Sequence, residues 1–108
     1  MNDQPRSDQY QALLAYLEAR GQSLAIYGSA ERGLNMDDTR EFLGLLRSCE
    51  VAVLGIEVWR EKDSWYTLNG LEVWYPHDEG PEDPHADALK YLSSIAVGSH
   101  DFLTVQFR

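Results

Sequence analysis

Two hydrophobic periods follow one another along this chain, and their order predicts its elements. Between residues 8 and 20 the large apolar side chains fall at Tyr10, Leu13, Leu14 and Leu17, one face of a helix, with Ser7 placed to cap it and Gly21 to stop it. From Gln22 to Leu34 the pattern weakens: Leu24 to Tyr27 suit a short turn, and Gly28, Ser29 and Gly33 mark a loop. A second helix, capped by Asn35 or Asp37 and running to about Ser48, carries Phe42, Leu45, Leu46 and Cys49 on one face. The period then shortens to two. Val51 to Trp59 reads as a central strand with Ala52, Leu54, Ile56 and Val58 turned to one side, and Gly55 within it predicts a bulge or a close backbone approach.

After a charged turn at 61–64, Trp65 to Tyr75 returns antiparallel. Its Asn69-Gly70 pair signals either a bulge in one long strand or a hairpin between two short ones, and the shortness of Trp65–Leu68 favours the bulge. Pro76 to Glu82 form an acidic loop, and Asp83-Pro84 is a cap followed by a first-turn proline. The helix that follows carries His85, Ala88, Leu89, Leu92, Ile95 and Ala96 at helical spacing, with Gly98 as its stop. Phe102 to Phe107 alternates again and closes the chain as a half-buried strand. The order is ααββαβ. It predicts an α+β domain over residues 1–108: a mostly antiparallel sheet of three strands, or four if Asn69-Gly70 is a hairpin, packed with three helices, after a flexible tail at 1–6.

Composition narrows the partners. A chain of 108 residues supports one core. Its formal net charge is −9, and residues 66–107 hold seven acids against one base, Lys90. Nucleic acid and anionic membranes are disfavoured, since both need clustered Lys and Arg, whereas a basic protein would be attracted. No apolar run reaches the ~20 residues of a membrane helix, and the opening MNDQPRSDQY lacks an apolar signal region, so the expected compartment is the cytoplasm. The lone Cys49 fits a reducing compartment and a small buried hydrophobe.

Catalytic and metal patterns fail one by one. His77 stands near Asp78, Glu82 and Asp83, with His85 beyond, but the spacing matches no zinc signature, and DEGPED lacks the alternate ligands of a calcium loop. Gly28 and Gly33 have P-loop spacing, yet Leu34-Asn35 stands where Lys and Ser or Thr are required. Ser29 is in no nucleophile elbow, and Cys49 has no neighbouring histidine. The pairs Asp37-Asp38 and Glu82-Asp83 coincide with helix starts, where carboxylates favour the dipole. No catalytic residue, metal or cofactor is expected. The aromatic residues remain: Trp59, Trp65, Tyr66, Trp74 and Tyr75 fall within 17 residues on two strands that should pair. Some belong to the core. Aromatic residues beside a charged rim also have the composition of binding hot spots, so the expected partner-binding set is Trp59, Trp74 and Tyr75 with Asp78, Glu79 and Glu82.

The stretches VAVLGIEVW (51–59), VWYPHD (73–78), ALKYLSSIA (88–96) and DFLTVQF (101–107) resemble the Immunity protein 40 family of bacterial polymorphic-toxin systems. The resemblance spans about residues 37–107. Its most distinctive part is Leu54-Gly55-x-Glu57-Val58-Trp59 followed by Trp74-Tyr75, while Ile56 stands where a second glycine is common. It implies a non-enzymatic protein that binds and neutralises a cognate toxin, a basic one on charge grounds, as a monomer or weak dimer. The competing expectation is a small structural or adaptor domain that self-associates, or joins a complex, through the strand edge at Phe102–Phe107.

Overall fold

A computed structural model describes residues 4–25, 31–62, 65–76, 83–98 and 101–108, with side chains for all of these except 4–7, 61–62 and 65–72. The elements run α1 (Gln4–Arg20), β1 (Gln22–Ser23), β2 (Arg32–Gly33), α2 (Met36–Ser48), β3 (Val53–Lys62), β4 (Trp65–Trp74), α3 (Pro84–Ser94) and β5 (Phe102–Phe107). The main sheet has the order β4-β3-β5 with both pairings antiparallel, and β1 and β2 form a separate two-stranded ribbon. This is the expected α+β architecture of three helices on a three-stranded sheet. The ribbon is an addition that the weak pattern at 22–34 did not announce.

Local chemistry explains most boundaries. Asn35 caps α2 by accepting from the Asp38 N–H at 2.7 Å, and Asp37 and Asp38 lie in its first turn, at the positive end of the dipole. At the other end Val51 N–H bonds to Leu46 O and Glu50 N–H to Arg47 O, with Glu50 at φ 57°. That is a Schellman ending with a glutamate in the left-handed position that favours glycine, at a cost of roughly 1–2 kcal/mol. Asp83 caps α3 and accepts from Ala86 N–H, with Pro84 in the first turn. Gly21 follows α1 closely: a Cβ there would lie 2.5 Å from Leu17 O and 2.7 Å from the Arg32 Cβ.

Several expectations need correction. Helix α1 already begins at Gln4, within the stretch expected as a tail, so Ser7 lies inside it instead of capping it. Of the α1 stripe only Leu13 enters the fully buried core. Helix α2 buries Thr39, Phe42, Leu43 and Leu46, a stripe rotated from the predicted one, and leaves Leu45 and Cys49 at the periphery. Helix α3 ends at Ser94, so Ile95 and Ala96 leave the helix, Ile95 in extended backbone. Ala52, just before β3, and Leu54 within it are exposed, while Val53, Ile56 and Val58 are buried. The reason is a bulge: Val53 pairs with Phe107 but Gly55 with Gln106, so one extra residue reverses the alternation. The second irregularity lies at Asn69-Gly70. Glu57 pairs with Val73 and Trp59 with Leu68, which places 69–72 opposite Val58 within one continuous strand, the bulged reading of 65–75.

One core joins these elements. Phe42 is fully buried between Tyr16, at 5.6 Å between ring centroids, and Phe107, at 5.3 Å edge-on. Ile56, Val58, Leu103 and Val105 meet it from the sheet, and Ala88 and Leu92 from α3. The helices therefore cover one sheet face. The other carries Gly55, Glu57 and Trp59 of β3 opposite Gln106, Thr104 and Phe102 of β5.

Candidate functional site

The face away from the helices is built around Glu57. Its carboxylate accepts from the Gln106 Nε2 at 3.1 Å, the Tyr75 hydroxyl at 3.3 Å and, at the long limit of 3.5 Å, the Thr104 hydroxyl. All three donors are neutral. Among the described residues this carboxylate forms no ion pair. Antiparallel pairing puts Glu57 opposite Thr104, which explains why a strand and its neighbour deliver these groups to one spot.

Tyr75 frames the site. A Cβ on Gly55 would stand 2.6 Å from its ring carbons, so the ring lies flat over the only residue type that admits it. The ring remains 52% exposed. Loss of hydration against the sheet, and then the adjoining Glu57 charge and hydrogen bond, push the hydroxyl up from its ordinary value, so it is a protonated donor at neutral pH. Beneath Glu57, Thr104 is fully buried and accepts from the Trp59 indole N–H at 3.2 Å. Gln106 also donates to Glu31 at 2.8 Å, which links the sheet to the segment entering β2.

The six predicted site residues have different fates. Tyr75 is at the surface and in the network. Trp59 is only 8% exposed and props Thr104 from inside, so its burial makes it a support and removes it from the contact surface. Trp74 turns to the opposite face, half-buried, where its indole N–H bonds to the Asp87 carboxylate of α3 at 3.0 Å. Asp78, Glu79 and Glu82 lie outside the described residues, as do His77 and His100. Glu57, Thr104 and Gln106 were missed, although the alternation of both strands already set Glu57 beside Trp59 and Thr104 beside Gln106. What was lacking was the register that brings the two pairs together.

Beside this face runs a groove of about 480 Å³ along the outer edge of β5. Its floor is Val105, Gln106 and Phe107; Tyr10, Leu14, Leu17 and Glu18 of α1 form one wall, and Glu31 and Arg32 the other. Tyr10 and Leu14, predicted as core, are 41% and 45% exposed here, and the Tyr10 ring sits 5.8 Å from that of Phe107. The apolar stripe of α1 is wider than the core it serves. Among the described residues the β5 edge is taken at one place: Leu34 and Leu103 exchange both backbone hydrogen bonds, at 2.7 and 2.8 Å.

Other polar clusters are structural. Arg60 binds Asp101 at 2.7 Å and the Ala96 carbonyl at 2.8 Å, closing the turn before β5. His85 donates through Nε2 to Val51 O at 2.9 Å, tying α3 to the entry of β3. Among the described residues no group of three or more His, Cys, Asp or Glu is placed to hold a metal ion, and no helix is long and apolar enough to cross a membrane. In the comparisons with known proteins, no family model, no curated protein and no solved structure matches this chain.

Proposed function

We propose that the protein is a non-catalytic binding module that neutralises a bacterial toxin effector domain by occupying its surface, acting in the cytoplasm of the cell that carries it. The observation that supports this reading is Glu57: a half-buried carboxylate fixed by three neutral donors on the sheet face away from the helices, beside an exposed tyrosine, is complementary to a lysine or arginine of a partner. The net charge of −9 extends the same preference to the whole molecule. The resemblance to the Immunity protein 40 family names the class of partner, and many such effectors are basic because they act on nucleic acids. The acid-rich stretch at 78–82 is the second element of the proposed contact.

The test begins with the neighbouring gene. A large secreted protein with a variable C-terminal domain encoded immediately upstream supplies the candidate toxin, and coexpression with this protein should restore growth to cells expressing that domain. Glu57→Gln and Tyr75→Ala should each weaken binding about tenfold or more, the scale of one lost charge-assisted contact. Reversing Asp78, Glu79 and Glu82 to Lys should slow association and flatten its salt dependence. Failure of coexpression to restore growth, or affinity indifferent to all these changes, overturns the proposal. A second reading, self-association through Phe102–Phe107, draws on the open part of the β5 edge; a stable homo-oligomer by light scattering at micromolar concentration would favour it.

A further inference from the structure

We infer that the groove along β5 receives an extended segment of the partner protein, which adds to the sheet as a strand with apolar side chains toward α1 and a lysine or arginine toward Glu31. This rests on the reading of the chain as a partner-binding protein but concerns a surface distinct from the Glu57 face. Three features converge on it.

The first is the backbone. Leu103 directs its N–H and C=O away from β3, to Leu34, so Val105 and Phe107, two and four residues on, turn theirs the same way. The Arg108 N–H bonds back to Ala52 O at 3.1 Å, as that alternation requires. No described residue pairs with the outward groups of Val105 and Phe107. They form the floor of the groove, and a row of such groups is a template for strand addition.

The second is the chemistry of the two walls. A strand laid on β5 sends alternate side chains to opposite sides. On one side they meet Tyr10, Leu14 and Leu17, on the other Glu31 and Arg32. Arg32 is engaged by Glu18 at 3.6 Å and by Gly21 O at 3.4 Å. The third is charge. Two acids line the groove against one base in a chain of net −9, which favours a cationic segment and opposes a second copy of this chain.

The experiment uses the full folded chain and a capped seven-residue peptide of alternating lysine and valine, followed by amide NMR. Shifts should concentrate at Val105, Gln106 and Phe107. N-methylation of the peptide nitrogens that face β5 should weaken binding about tenfold, as loss of two backbone hydrogen bonds does. Tyr10→Ala and Leu14→Lys should weaken it as well; both residues are largely exposed, so neither variant should unfold the protein. An alternating glutamate and valine peptide should not bind. Absence of shifts at 105–107, shifts indifferent to N-methylation, equal binding of the glutamate peptide, or closure of the groove by a second copy of the chain each overturns the inference. No toxin enters this experiment, so its failure leaves the toxin proposal standing, and failed growth rescue with intact peptide binding defeats that proposal alone.

Discussion

Gly55 and Tyr75 show how a single missing side chain can organise a site. The ring occupies the space that a Cβ at residue 55 would take, and from there its hydroxyl reaches Glu57. Gly55→Ala should therefore destabilise the protein by about 1–3 kcal/mol, the usual cost of forcing atoms into a filled space. In a Tyr75→Ala background the same change should be nearly neutral, since alanine suits a strand better than glycine does. Urea denaturation of the four proteins in that cycle measures the coupling; additive effects would mean that the ring and residue 55 do not compete. From sequence Gly55 announced a bulge or a close backbone approach; the bulge is present, and what comes close is the side chain of Tyr75. Tyr75 was legible as a surface aromatic residue. Glu57 was not, because a lone glutamate in an apolar strand acquires meaning only from the neighbouring strand that supplies Thr104 and Gln106.

At the level of elements, the ion pair between Arg47 and Asp83 couples the end of α2 to the start of α3. Arg47 NH2 contacts both carboxylate oxygens, at 2.5 and 2.6 Å, while Oδ1 also accepts from Ala86 N–H. The guanidinium and the capping N–H hold the Asp83 carboxyl below its ordinary value of 3.8. The sign follows: a lowered folded-state value adds stability that is fully present above the ordinary value and is lost as pH falls through the folded one. Asp83→Asn keeps a good cap but removes the charge. The urea midpoint of the wild type should drop more steeply than that of Asp83→Asn below about pH 4, with the pair's contribution kept small by solvent. Parallel curves would remove the pair from the account. The order of the three helices and of the three main-sheet strands, the Asn35 cap and the Asp83-Pro84 start were readable from local chemistry, whereas the two-stranded ribbon and the true start of α1 were not. The phase of β3 was not: the bulge at Val53–Gly55 inverts every face assigned before it, and alternation alone does not mark where one residue is extra. The α1 stripe misled for another reason. Amphipathic spacing tells which residues share a face, and here that face is divided between the core, which takes Leu13, and the groove, which takes Tyr10 and Leu14.

Across the whole molecule, three helices protect one side of a three-stranded sheet and leave its last strand at the edge. That strand reads FLTVQF, six residues with high β-propensity and no charge, proline or glycine. This is the composition of segments that stack into amyloid. One backbone bridge, between Leu34 and Leu103, is what shuts the first half of the edge, and Asp101 and Arg108 stand as charged gatekeepers at its two ends. Leu34→Pro deletes the N–H that bonds to Leu103 O while leaving those flanking charges in place. Compared at equal fractions of unfolded chain with Leu34→Ala, which keeps the bridge, Leu34→Pro should form thioflavin-positive fibrils sooner; equal lag times would show that the bridge does not restrain stacking. A strand open enough to accept a partner is open enough to accept its own kind in endless register, and here a single residue just after a two-stranded ribbon keeps half of that edge closed.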